Sequence, residues 1–125
     1  MEKVMGNSIK PHKRLDVWDK AIDLTVDIYR ISETFPRTEV YGLTSQMRRA
    51  SISVPSNIAE GAARQTKREF INYLHMAQGS LSELDTQLVI ASRLEYVPTE
   101  TYEEIGGRIE TISKMITGLI KSLKR

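Results

Sequence analysis

Cysteine is absent from the 125 residues, which removes disulfide frameworks, thiolate zinc sites, iron–sulfur clusters and a cysteine nucleophile together. The same absence fits a reducing interior, so a cytoplasmic location is expected. Histidine occurs only twice. Asn72 stands three residues before His75, and His12 lies near the start, so the Glu-x-x-His pairs that hold di-iron centres in helical bundles are missing. No metal ligand and no cofactor are assigned. Nowhere do about 18 apolar residues run uninterrupted, as a membrane span would need, and residues 1–14 carry no apolar stretch of signal-peptide length. No membrane partner is expected. Charge of one sign is also scarce, with 18 Lys and Arg against 16 Asp and Glu for a net of +2. That total does not announce a polyanion partner, so any such case must rest on where charge gathers.

What the chain does contain is helical periodicity. Its length suits one domain with a real core. Residues 1–14 lack periodicity and carry Lys3, Lys10, Lys13 and Arg14 against Glu2, which reads as a flexible basic arm. From the N-cap candidate Asp16 to about Thr34, Trp18, Ile22, Thr25 and Tyr29 interleave with Val17, Leu24, Ile28 and Ile31, predicting a helix with a broad buried face. Phe35-Pro36 ends it, because a residue before proline avoids helical angles. Leu43, Met47, Ala50, Val54 and Ile58 predict a second helix, kinked near Val54 by Pro55 and ending either at Gly61 or further on, at Arg64. Thr66 and Glu69 form a capping box before the stripe Phe70, Leu74, Ala77, Leu81, Leu84, Leu88 and Ala91. After Pro98, a fourth stripe runs through Tyr102, Ile105, Ile109, Ile112, Ile116, Leu119 and Leu123. The fold class expected is all-α, an antiparallel up-down-up-down four-helix bundle over residues 15–125. Apolar residues off the seams, among them Ile71, Tyr73, Met76, Ile90, Met115 and Ile120, exceed what one core needs; part of the surplus reads as ordinary packing and part as the interface of a homo-oligomer.

Reactive constellations are missing. None of the seven glycines clusters with a lysine as a phosphate-cradling loop requires; Gly106-Gly107 instead suggests close helix approach or a local bend. The serines between Ser51 and Ser56 have no histidine nearby in sequence to act as base. Glu83 and Asp85 are two residues apart on a helix and therefore point to different sides. No catalytic residue is assigned, and a non-enzymatic protein is expected.

Basic residues carry the sharper hint. Arg48 and Arg49 lie on the second helix, and Arg64, Lys67 and Arg68 surround the start of the third. Cations in a helix's first turn oppose its dipole at about 0.3 to 1 kcal/mol each when exposed, which invites a functional reason. Together with Lys13 and Arg14 of the arm, they form a candidate nucleic-acid-binding surface. The bland alternative is a solvated turn whose charges pair with acids on neighbouring helices. Pro55, Asn57 and Glu60 also admit two readings. In one, Glu60 accepts from Arg48 or Arg49 and Asn57 satisfies backbone freed by Pro55; in the other, the three form a partner-binding notch.

Leu15-Asp16-Val17-Trp18, Phe35-Pro36, the stretch Gly42 to Ala50, Val54-Pro55-Ser56-Asn57-Ile58-Ala59-Glu60-Gly61 and Gly79 to Leu84 together resemble the four-helix-bundle family encoded in intervening sequences of bacterial 23S ribosomal RNA genes. The resemblance runs from about Leu15 to Lys124. It implies a ring-shaped homopentamer, which periodicity alone does not. Similar proteins include the accessory variability factor of diversity-generating retroelements, a basic barrel that binds nucleic acid and a reverse transcriptase. The functional expectation is an oligomeric bundle that binds RNA or DNA through its basic surface. A protein–protein adaptor with no nucleic-acid contact is the alternative.

Overall fold

The computed structural model of the protein describes residues 11–125, without the side chains of Lys13 and Arg14. A 3-10 turn at Pro11–Arg14 precedes four helices: α1 (Asp16–Ser32), α2 (Leu43–Ala62), α3 (Lys67–Arg93) and α4 (Thr99–Leu123), with a second 3-10 turn at Arg37–Glu39. No strand occurs among the described residues. Most of the segment read as a basic arm, residues 1–10, lies outside the described residues, and its last four form the turn that packs on α1 and α2.

The middles of three of the four apolar stripes become the core as spaced, while Leu43, Phe70, Tyr102, Leu119 and Leu123 at their ends are half-buried. Met47, Ala50, Val54 and Ile58 of α2, Leu74, Ala77, Leu81, Leu84, Leu88 and Ala91 of α3, and Ile105, Ile109, Ile112 and Ile116 of α4 are all at most 5% exposed. Such steps of three and four keep one side of a 3.6-residue helix facing inward. On α1 the buried stripe is Val17, Ala21, Leu24, Ile28 and Ser32, while Tyr29 is exposed and Trp18, Ile22 and Thr25 are half-buried. Two helical stripes competed in that sequence. The one that leaves out the Tyr29 phenol faces inward, and its one hydroxyl, Ser32, is satisfied by the Tyr29 carbonyl and Arg48, because a buried polar group needs a partner. Ile120 is buried where Leu119 was expected, and Met76 and Ile90 remain exposed.

Contacts between helices fix their mutual register. Thr25 and Ser32 of α1 meet Ser51 and Arg48 of α2, so numbers rise on one helix as they fall on the other. Gln78 of α3 donates to Thr117 of α4 at 2.8 Å, and Arg108 of α4 reaches Asp27 of α1 at 2.7 Å.

Helix α2 runs through Pro55 without interruption. A proline there leaves the carbonyl four residues earlier without its N–H, and that carbonyl belongs to Ser51. The Thr25 hydroxyl from α1 takes it at 2.9 Å, sharing its proton with the Ala21 carbonyl. Asn57, the residue proposed for this role from sequence, instead donates to the Ser53 carbonyl at 2.8 Å. Gly61 is the penultimate residue of α2, which closes at Ala62, between the two ends expected. A methyl group on Gly61 would stand 2.7 Å from Tyr73 Cβ and 3.2 Å from the Phe70 carbonyl oxygen, so the missing side chain is what lets α2 and α3 touch. Gly106 and Gly107 impose no such requirement, since a methyl at Gly106 would meet only Leu88 at 4.0 Å and one at Gly107 would meet nothing.

Helix α3 ends in a Schellman arrangement. Tyr96 N–H donates to the Ala91 carbonyl at 2.9 Å and Glu95 N–H to the Ser92 carbonyl at 3.0 Å. Such a cap places one residue in the left-handed region, and here that residue is Glu95, at φ 65°.

Candidate functional site

The basic residues singled out from sequence fall into three settings. Arg48 is spent on the fold. Its Nε donates to Ser32 Oγ at 2.8 Å, its Nη2 to the Tyr29 carbonyl at 3.1 Å, and its guanidinium lies 4.6 Å from the Tyr29 ring centroid. A cation there meets the free carbonyls and negative dipole end of α1. Arg49, one residue on and exposed, makes no ion pair with a described residue.

Around the α2–α3 turn the second setting appears. The Arg64 guanidinium donates to Glu60 Oε2 and to the Tyr73 hydroxyl, each at 2.7 Å, and lies 5.0 Å from the Tyr73 ring centroid. Its proton is held more tightly than usual, chiefly by the field of the Tyr73 oxygen and then of Glu60. Glu60 therefore pairs within the chain with Arg64, not with Arg48 or Arg49. The N-cap half of the capping box forms as spaced, with Glu69 N–H donating to Thr66 Oγ1 at 3.1 Å, while the Glu69 carboxylate accepts from the Thr66 hydroxyl at 2.9 Å. Beside it Lys67 and Arg68 are exposed and form no ion pair among the described residues. They hold the unspent positive charge of this corner.

The third setting is the turn before α1. Because α1 and α2 run in opposite directions, that turn lies at the end of the bundle where α2 finishes and Arg64 begins the link to α3. The backbone of Lys13 and Arg14 packs on α1 and α2 at that end and does not touch α3, while the positions of their side chains lie outside the described residues. Arg48 and Arg49 belong elsewhere, roughly 20 Å back along α2 at about 1.5 Å per residue.

Sequence reasoning missed Glu39. Its Oε1 accepts from the Leu43 N–H at 3.1 Å and its Oε2 from the Tyr96 hydroxyl at 2.9 Å. One carboxylate caps α2 and ties it to the α3–α4 link. The hydrogen bond to Glu39, with burial next, raises the Tyr96 phenol above its ordinary value. No spacing rule could reveal the Tyr96 half of this contact, since the two residues are 57 apart.

A second feature also escaped the sequence. Between the start of α2 and the middle of α3 lies a groove of about 400 Å³ lined by Tyr41, Ser45, Gln46, Arg49, Ala50, Glu83 and Gln87. Gln87 is 6% exposed, and its carboxamide oxygen has no hydrogen-bond partner. His75, by contrast, is exposed on α3, and no group of three or more metal-ligating side chains occurs among the described residues. No described helix is long and apolar enough to cross a membrane.

Fold and surface together define an all-helical protein with four helices around one apolar core and its unspent charge on the outside. The family model of the 23S rRNA-intervening sequence protein matches residues 13–118, and the chain belongs to that family. It is similar to a protein with unknown function from the S23 ribosomal protein family of Bacteroides thetaiotaomicron, known from a crystal structure. Identity is 29%, the TM-score is 0.76, and the match covers 84% of this chain and 98% of that one. No curated protein matches.

Proposed function

We propose that this chain is a non-enzymatic, cytoplasmic bundle that assembles as a homo-oligomer, a pentamer by family resemblance, and binds RNA or DNA at the corner where α2 gives way to α3. The observation that carries the proposal is the pair Lys67 and Arg68, exposed and unpaired in the first turn of α3. They oppose the dipole of that helix, in a turn whose one acid, Glu69, is engaged by the Thr66 hydroxyl. Arg64 adds a charge shared with Glu60, and the turn that carries Lys13 and Arg14 packs on α1 and α2. A ring would repeat this small patch around its rim, so a near-neutral chain could still present several cationic corners to one polyanion.

Fluorescence anisotropy with a structured RNA at low and moderate salt tests it. Binding that weakens steeply with salt supports the proposal, because displaced counterions are released on association. No binding at either salt removes it.

One observation favours a protein partner instead. Val26, Tyr29, Val40 and Ile52 are large apolar or aromatic residues left 38–51% exposed on α1, α2 and their link, and an adaptor would dock there. A pull-down abolished by Val26→Asp and Ile52→Asp, yet unaffected by Lys67→Glu with Arg68→Glu, would establish that reading in place of the first.

A further inference from the structure

We propose that the groove between α2 and α3 seats an unpaired guanine base. The inference rests on the nucleic-acid reading above and concerns a different face of the molecule. Tyr41 stands at the groove with 95% of its surface exposed, more than any other large hydrophobic or aromatic residue of the described chain. An aromatic ring left in water offers a stacking platform, and recognition of unpaired bases uses such platforms together with hydrogen bonds to the base edges.

The walls supply those hydrogen bonds in a particular arrangement. Arg49 on α2 and Glu83 on α3 line the same groove, are both exposed and form no ion pair with each other, so each keeps its full hydrogen-bonding capacity. Arginine donates two parallel bonds to the O6 and N7 acceptors of guanine. On its other edge guanine carries N–H donors, which a carboxylate accepts. Adenine offers an amino donor beside N7 and no second donor for a carboxylate, and each pyrimidine lacks the N7 acceptor. Gln87 is the second, independent observation. Its side chain is more than nine-tenths buried at the groove, and its oxygen lacks a donor, a condition that disfavours the folded state. The oxygen itself is shut off from the open space of the groove, so a guest N–H pairs with it only if the carboxamide rotates. Ser45 and Gln46 provide further polar groups on the α2 side.

Ligand-observed NMR titrations of the full chain with the four ribonucleoside 5′-monophosphates test the inference. The expected result is saturable binding of the guanine nucleotide at least tenfold tighter than of the other three. Tyr41→Ala should weaken it about tenfold, and Glu83→Ala should erase the base preference while leaving a residual affinity. Equal binding of all four nucleotides means that only the phosphate is held, and overturns the inference; so does absence of binding. Lys67→Glu with Arg68→Glu separates the two proposals. Loss of RNA binding in that variant with guanine nucleotide still bound assigns the two ligands to two separate sites and supports both proposals, whereas an unaltered chain that binds guanine nucleotide but no RNA removes the corner reading and leaves the groove. If RNA binds with unchanged affinity after Tyr41→Ala and the mononucleotides do not discriminate, the groove falls and the corner stands.

Discussion

Thr25 shows how much one hydroxyl can decide. On sequence it is one half-polar residue in an amphipathic stripe. In the bundle it is the donor that satisfies the Ser51 carbonyl, orphaned by Pro55 in the middle of α2. Ser51 is 1% exposed, so water cannot take the place of the hydroxyl. Thr25→Val keeps the shape and removes the donor, and it should destabilise the protein by about 1 to 3 kcal/mol, the range for a buried polar group left unpaired. Thr25→Ser should recover most of that loss. Urea unfolding followed by circular dichroism compares the three, and an unchanged midpoint for Thr25→Val would mean that the carbonyl needs no partner.

At the scale of elements, the contact between α2 and α3 and the end of α3 each turn on one residue's backbone or Cβ. Gly61→Ala places a methyl against Tyr73 Cβ and the Phe70 carbonyl, where backbone cannot yield. Overpacking of this kind costs about 1 to 3 kcal/mol, and thermal unfolding should register it as a lowered midpoint. Glu95 presents the opposite case. It occupies the left-handed position of the α3 cap at φ 65°, a conformation that glycine adopts without a Cβ penalty. Glu95→Gly should therefore raise stability, by about 0.5 to 1 kcal/mol, and a fall in the same unfolding assay would show that the glutamate side chain makes a compensating contact. The capping box at Thr66 and the seams of α2, α3 and α4 were legible beforehand, because both depend on residues within one or two turns of each other. The α1 stripe was only half legible. Trp18, Ile22, Thr25 and Tyr29 satisfy helical spacing as well as Val17, Ala21, Leu24 and Ile28 do, and only packing chose between them.

For the molecule as a whole, the separation of the charges matters more than their sum. Arg48 is bound to the carboxyl end of α1, Arg64 to Glu60 and Tyr73, and Lys67 with Arg68 is left over. If the corner binds nucleic acid, Lys67→Glu with Arg68→Glu should weaken RNA binding and flatten its dependence on salt concentration, since fewer counterions are released. Arg48→Gln should act differently, lowering stability while leaving the salt slope unchanged, because that guanidinium is spent inside the fold. Solution mass by light scattering decides whether the corner is repeated. A pentamer should have about five times the chain's 14.2 kDa, and a monomer would leave Lys67 and Arg68 as a single small patch.

The sequence by itself determined that there are four helices, where three of them hide their apolar sides, and how the third begins, because these follow from interactions between residues three or four apart. It could not determine which arginine stays available, which hydroxyl rescues the carbonyl opposite Pro55, or that Glu39 and Tyr96 meet. Those pairings join residues 16 to 57 positions apart. They exist only after apolar burial has set the helices side by side and placed each polar group beside a neighbour that periodicity does not specify.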